Sequence, residues 1–234
     1  MKLGILVCDH VRPEYRDIAG DYPDMFGRLL DMELVPYDVV DGSLPPREDA
    51  CDAYLCTGSR YSSFDDLGWI HDLKAFIQRL SNAEIPFVGI CFGHQVLAEA
   101  LGGTVERAEG GWGAGVHTID VLRKESWMQP PLAKFRLPYM HQDQVTRLPE
   151  GGVWLGRTEH CPIAIFRAGS SMLGIQAHPE FPAAYSEALI RDRYDKIGAE
   201  KAEEALISLE VPTDEEVVAG WIAEFLSPGR IPGT

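Results

Sequence analysis

The sequence predicts an α/β protein with an open, mostly parallel sheet that helices cover on both faces. Short runs rich in Val, Ile and Leu, such as residues 3–8 and 87–91, lack regular polar alternation, which is typical of strands buried on both faces. Amphipathic segments separate these runs, and apolar residues three and four positions apart in residues 70–80 predict a helix. Buried strands that alternate with helices indicate a layered α/β fold.

The first half of the chain predicts the order β-α-β-β-α-β-α. Its strands are residues 3–8, 33–40, 53–57 and 87–91, and its helices are residues 22–32, 70–80 and a segment that starts near His94. Val96, Leu97 and Ala100 supply the apolar face of this last helix. Gly102 and Gly103 follow that face, and glycine there is typical of a helix end.

The second half begins with strands and ends with helices. The predicted strands are residues 116–122, 153–157, 163–166 and 172–176, with glycine-pair turns near residues 110 and 151. Helices are expected over about residues 182–226, followed by a loose Pro- and Gly-rich tail at 227–234. No long linker interrupts the pattern, so residues 1–234 are expected to form a single domain.

Composition excludes several classes of function. Lys and Arg number 21 against 36 Asp and Glu, giving a net charge of −15 that disfavours nucleic acid and anionic membranes as partners. The apolar runs are far shorter than a membrane span or a secretory signal requires, so we expect a cytoplasmic protein. The five cysteines form no C-x-x-C pair, which disfavours a zinc ribbon or a thioredoxin-type site.

One cysteine lies in a distinctive position. Gly89-Ile90-Cys91-Phe92-Gly93 lies where a buried strand meets a helix, as in a nucleophile elbow. Glycines two positions away on either side would relieve the crowding of such a sharp turn. The helix amino end would favour the reactive thiolate. The alternative is a buried cysteine between two packing glycines.

A second motif follows the last predicted strand. His178 comes just after this strand, where it could act as the base for a thiol on a neighbouring strand. Glu180 could orient the imidazole ring, and Pro179 would stiffen the turn between them. The alternatives are a solvated loop and a metal site, although no third ligand is apparent nearby, so no metal is expected.

Together these motifs resemble the class I glutamine amidotransferase family. Its G-x-C-x-G-x-Q elbow matches Gly89 to Gln95, and its late H-P-E matches His178-Pro179-Glu180. The resemblance implies a flavodoxin-like amidotransferase domain and a Cys91–His178–Glu180 catalytic triad. It also implies hydrolysis of a γ-glutamyl amide, such as glutamine or a γ-glutamyl peptide, through a thioester, without a cofactor.

The resemblance implies further site residues. The oxyanion hole would use the backbone N–H groups of Phe92 and Gly58, and Gln95 would contact the substrate. Residues 141–145 resemble an H-x-D-x-V segment of the family, although ordinary turn residues would look the same. Arg60 could meet a substrate carboxylate or be a solvated loop residue.

The oxyanion loop Thr57-Gly58-Ser59-Arg60 differs from the Gly-Gly-Pro type of synthetase-linked members. It is similar to stand-alone members, including γ-glutamyl peptidases. The residues after Glu180 predict helices and a tail, so no acceptor domain is expected there. A stand-alone hydrolase with a small γ-glutamyl substrate is therefore the first hypothesis. The alternatives are a glutaminase subunit that delivers ammonia to a separate synthetase partner in trans, and a catalytically silent binding module. A relative of other cysteine-elbow α/β proteins, of the chaperone or deglycase type, is a further alternative, although the H-P-E motif and Gln95 favour the amidotransferase family.

Overall fold

A computed structural model describes residues 1–227 of the chain. The strands are β1 (Lys2–Val7), β2 (Glu33–Asp38), β3 (Ala53–Cys56), β4 (Phe87–Ile90), β5 (Thr104–Arg107), β6 (Gly113–Val121), β7 (Lys134–His141), β8 (Asp143–Arg147), β9 (Val153–Arg157), β10 (Ile165–Ala168) and β11 (Met172–Ile175). The helices are α1 (Arg16–Ala19), α2 (Tyr22–Leu29), α3 (Gly68–Asn82), α4 (Phe92–Ala100), α5 (Ala183–Asp192), α6 (Tyr194–Ile197), α7 (Ala199–Ser208) and α8 (Glu215–Leu226).

Nine strands form one sheet in the order β2-β1-β3-β4-β11-β10-β9-β6-β7. The five strands that begin this order, which are β2, β1, β3, β4 and β11, pair in parallel with their neighbours among these five. From β11 to β7, neighbouring strands pair antiparallel. Because only β10 and β6 run against the others, the sheet is mostly parallel, and the predicted fold class is confirmed. Strands β5 and β8 form a separate two-stranded ribbon.

Both faces of the sheet are covered by helices. Alternate residues of β1 enter different apolar clusters, with Leu3 and Ile5 on one face and Leu6 on the other. Helices α2 and α8 pack on the first face, and α3 and α4 pack on the second. None of the helices among residues 1–227 is long and apolar enough to cross a membrane.

Several local expectations differ from the structure. Strands β5, β7 and β8 and helix α1 have no predicted counterpart. Strand β7 contains Pro138, which a central strand would not tolerate, but β7 lies at the edge of the sheet. Strand β10 starts at Ile165, two residues later than the apolar run from residue 163 predicts. Ile163 and Ala164 are buried without belonging to the strand, so the apolar run is longer than the strand.

Three further predictions concern the start of α4, the C-terminal tail and the domain organisation. Helix α4 begins at Phe92, before the predicted start near His94, so it follows Cys91 without a gap. Apart from Ser227, the predicted tail at 227–234 lies outside the described residues. The single domain over residues 1–234 stays a prediction.

Candidate active site

Chemistry-bearing residues gather at one edge of the sheet. Strands β3, β4, β7 and β11 run in the same direction, so their carboxyl ends lie at one edge. Gly58, Cys91 and His178 follow β3, β4 and β11, and His141 ends β7. Open α/β sheets place their ligand sites at this edge.

The β4–α4 turn holds Cys91 in a strained conformation. Its φ and ψ angles are 53° and −99°, which side-chain-bearing residues rarely adopt. A Cβ on Gly89 would lie 2.2 Å from the Gly93 carbonyl oxygen, and a Cβ on Gly93 would lie 2.5 Å from that of Cys56. The turn therefore needs both glycines, for the steric reason that the sequence suggested. The Cys91 N–H donates to the Ile175 carbonyl at 2.9 Å, which ties the turn to β11.

His178 is held from three sides. Its Nδ1 donates to Glu180 Oε1 at 2.8 Å, and both side chains are buried. The ring of Phe181 stacks on the imidazole, with centroids 3.8 Å apart and planes 10° apart. The His178 backbone N–H donates to the Pro138 carbonyl at 2.9 Å. These contacts fix both the position and the orientation of the ring.

The electrostatic environment favours a charged imidazole. Burial lowers the pKa of His178, but the charges of Cys91 and Glu180 outweigh this effect and raise that pKa to about 10. A cationic His178 beside Cys91 matches the thiolate form that a cysteine nucleophile needs.

The two predicted oxyanion-hole residues lie beside this pair. A Cβ on Gly58 would lie 2.9 Å from His178 Cε1 and 3.8 Å from Cys91 Cβ, so Gly58 lies against both residues. Phe92 is the first residue of α4, and the first N–H groups of a helix have no acceptor within the helix. The structure thus brings Gly58, Phe92, Cys91 and His178 together.

Gln95 joins Cys91 to β8 through a chain of amide groups. Gln176 Nε2 lies 3.4 Å from Cys91 Sγ, in position to donate to it. Gln95 Nε2 donates to Gln176 Oε1 at 3.1 Å and to the Asp143 carbonyl at 2.6 Å. Sequence reasoning gave Gln176 no role, although its place between a buried strand and His178 was a usable signal.

Asp143 presents a free carboxylate oxygen near this network. Its Oδ2 accepts from Ser62 Oγ at 2.6 Å. Its Oδ1 is buried and accepts no hydrogen bond from the described residues, and Arg107 Nε lies 3.7 Å away. His141 Nδ1 donates to the Asp143 carbonyl at 3.0 Å, which holds this turn in place. The turn-residue interpretation of residues 141–145 missed this carboxylate.

A cavity of about 450 Å³ opens beside Cys91 and Gln95. Its charged lining includes Asp9, His10, Arg12, Arg60, Arg107, Asp143, Asp192, Arg193 and Lys196. Arg60 donates from Nε to both oxygens of Asp9, at 2.8 and 2.9 Å. Its guanidinium is therefore clamped to a buried carboxylate rather than being simply solvated.

One group among the described residues has metal-ligand spacing, formed by His10, Asp38 and Asp41. Both ring nitrogens of His10 already contact carboxylates, Asp21 at 2.8 Å and Asp38 at 3.0 Å. Partial burial lowers the pKa of His10, but these carboxylates outweigh it and raise the pKa. The ring is thus an ion-pair partner of Asp21 and Asp38 in this structure.

Comparisons with known proteins identify relatives of this chain. The family model "Glutamine amidotransferase class-I" matches residues 52–196, which include Cys91, His178 and Glu180. A glutamine amidotransferase-like protein of Schizosaccharomyces pombe is 31% identical over 244 residues, covering 96% of this chain and 98% of that protein. Gamma-glutamyl peptidase 3 of Arabidopsis thaliana is 31% identical over 173 residues, covering 69% of this chain and 70% of that protein.

The fold agrees as well. The crystal structure of a glutamine amidotransferase from Thermotoga maritima superposes with a TM-score of 0.73 at 22% identity, covering 96% of each chain. The family match spans more than half of the chain, and the relative from S. pombe aligns over nearly all of it. The chain belongs to the class I glutamine amidotransferase family.

Proposed function

We propose that the protein hydrolyses the amide bond of a γ-glutamyl substrate through a thioester on Cys91. The observation that carries this proposal is the placement of Cys91 in a strained turn against Gly58 and the ring of His178. Glu180 in turn holds that ring by a 2.8 Å hydrogen bond. A nucleophile, its base and an orienting carboxylate are the parts that acyl transfer by cysteine requires.

The reaction follows from these positions. The Cys91 thiolate attacks the γ-carbonyl carbon, and the backbone N–H groups of Phe92 and Gly58 stabilise the oxyanion. Protonated His178 gives its proton to the leaving nitrogen, the C–N bond breaks, and the thioester remains. His178 then takes a proton from water as water attacks the thioester, and glutamate leaves as the thiolate reforms.

Asp143 supports recognition of the glutamyl group. A γ-glutamyl substrate carries an α-ammonium group, and Asp143 offers a buried oxygen that accepts no hydrogen bond from the described residues. Gln95 links the backbone carbonyl of Asp143, and not its carboxylate, to the region of Cys91 through hydrogen bonds. Arg107 lies 3.7 Å from the same oxygen, so the pair offers opposite charges to the zwitterionic end of the substrate.

The cavity favours a peptide over glutamine alone. Its volume of about 450 Å³ lies within the range typical of small-molecule sites and leaves room beyond a glutamyl group. The relative from A. thaliana is named a gamma-glutamyl peptidase, which is consistent with a γ-glutamyl peptide as the substrate.

Release of glutamate tests the proposal. Purified protein should release glutamate from at least one of glutamine, glutathione and γ-glutamyl conjugates, and Cys91→Ser should lower the rate by about 1,000-fold or more. Cys51→Ser is the matched control, because Cys51 is also 5% exposed but does not line the cavity.

Two outcomes would redirect the assignment. Equal rates for the wild type and Cys91→Ser would refute a cysteine mechanism. Activity on glutamine only, and only after a synthetase is added, would favour the ammonia-delivering subunit instead.

A further inference from the structure

Part of the cavity lining carries positive charge that the glutamyl group does not need. We propose that Arg193, assisted by Lys196, binds a carboxylate on the leaving group of the substrate. The favoured substrate would then be a γ-glutamyl peptide with a free C-terminal carboxylate. This inference rests on the proposed function and names the substrate class of the same site.

The charge of the cavity is opposite to that of the chain. Five Arg and Lys side chains line it against three Asp side chains, whereas the whole chain carries a net charge of −15. The lining cations are Arg12, Arg60, Arg107, Arg193 and Lys196. A cleft with one sign of charge raises the local concentration of ligands of the other sign, so this lining favours an anionic ligand.

Three of these cations already have protein partners. Arg12 pairs with Asp192 at 2.6 Å, and Arg60 is clamped to Asp9. Arg107 bonds Gln142 at 2.8 Å and lies 3.7 Å from Asp143.

Arg193 and Lys196 differ from the other three. Within residues 1–227, neither forms an ion pair or a side-chain hydrogen bond with the protein. They are therefore the cations left for a ligand in this cavity.

Arg193 is held in place, although no carboxylate among residues 1–227 lies within ion-pair distance of it. It follows the last residue of α5, and its guanidinium carbon lies 5.5 Å from the ring centroid of Trp112. The residue is half-buried, and Trp112 lines the same cavity. An arginine stacked on an aromatic ring keeps its donors free and loses less freedom when it binds a carboxylate.

The position of α5 indicates which part of the substrate meets Arg193. Phe181 stacks on His178, and Tyr185 of α5 contacts the edge of Phe181 with centroids 4.8 Å apart. This packing connects the His178 side of the site to the helix that ends before Arg193. Because His178 protonates the leaving nitrogen, the leaving group lies on this side, whereas Asp143 lies on the Gln95 side.

The chemistry of the leaving group then distinguishes a γ-glutamyl peptide from glutamine as the favoured substrate. Ammonia, released from glutamine, offers nothing to a guanidinium, whereas the C-terminal carboxylate of a released peptide can accept two parallel hydrogen bonds from it. The unpaired cations would thus contribute to binding of a γ-glutamyl peptide and contribute nothing to binding of glutamine.

A comparison of two matched substrates tests this inference. The kcat/KM values are measured for γ-Glu-Ala-Gly and for its C-terminal amide, with wild-type protein, Arg193→Gln and Arg193→Lys. The wild type should prefer the free acid, and Arg193→Gln should lower kcat/KM for the acid by about 10- to 100-fold, the usual effect of losing a hydrogen bond to a charged group. The amide should be unaffected, and Arg193→Lys should recover part of the loss.

Arg191→Gln is the control variant. Arg191 lies within α5, two residues before Arg193, and pairs with Glu187, but it does not line the cavity. Its loss should therefore change kcat/KM for neither substrate. Equal losses on both substrates with Arg193→Gln, no loss on either, or a wild type indifferent to the amide would overturn the inference. Absence of glutamate release from every substrate by the wild type would instead refute the proposed function itself.

Discussion

Two buried histidines near Cys91 show how neighbours decide protonation. His94 is fully buried, neither ring nitrogen has a partner among the described residues, and burial lowers its pKa to about 3. Burial also lowers the pKa of His178, but Cys91 and Glu180 raise it to about 10. Equal burial thus gives a neutral and a cationic ring. Only the cationic ring can donate a proton to a leaving group.

The alkaline limit of activity should therefore depend on the charges of Cys91 and Glu180, which both raise the pKa of His178. Activity that needs protonated His178 is present at neutral pH and declines as pH rises through about 10. Glu180→Gln removes a charge that raises this pKa, so the alkaline limb of the kcat/KM profile should move to lower pH. The rate should also fall by about 100-fold or more. An unchanged alkaline limb in this variant would contradict the role given to Glu180.

Local motifs and distant contacts differ in how well the sequence predicts them. Cys91 and His178 are predictable because glycine spacing and the neighbouring strand ends are local signals. The hydrogen bonds that join Gln176 and Asp143 to Gln95 are not predictable, because these residues lie far apart in the chain. Gln95 meets Asp143 across 48 residues and Gln176 across 81. Only the folded sheet brings such positions together.

At the scale of elements, the β4–α4 unit is the best predicted part of the site. A buried strand, a glycine-flanked cysteine and a helix are all visible in the sequence, and the structure shows the predicted crowding at both glycines. The edge strand β7 was missed because Pro138 interrupts its pattern. The β5–β8 ribbon was missed because its strands are short and only partly buried.

Gly93→Ala should destabilise the fold through this unit. The added Cβ would lie 2.5 Å from the Cys56 carbonyl oxygen, which belongs to buried backbone and cannot move aside as a flexible side chain could. We expect a loss of about 1–3 kcal/mol in the free energy of unfolding, measured by urea denaturation. Gly220→Ala is the control, because Gly220 lies within α8 with nothing within 4 Å of its Cβ position. That change should be neutral or stabilise by up to about 1 kcal/mol, as helix propensity predicts. Equal effects of the two changes would contradict this steric account.

At the scale of the whole molecule, the topology explains why the site lies where it does. The parallel half of the sheet brings the ends of β3, β4 and β11 side by side, and β7 adds His141 at the same edge. Helix α5 covers the site on the side of His178. The sequence predicted the parallel layers from their apolar runs. It did not predict the positive charge of the cavity. The net charge of −15 is a sum over the whole chain, and it does not show where the fold places the Arg and Lys side chains.

The central claim is that a glutamyl group is transferred to Cys91, and direct detection of that intermediate tests it. The wild-type protein is mixed with a γ-glutamyl peptide, quenched in acid during turnover, digested and analysed by mass spectrometry. We expect a glutamyl adduct on the peptide that contains Cys91, which hydroxylamine removes as it does other thioesters. Steady release of glutamate while Cys91 stays unmodified at every quench time, with the glutamyl group on another residue, would contradict the account.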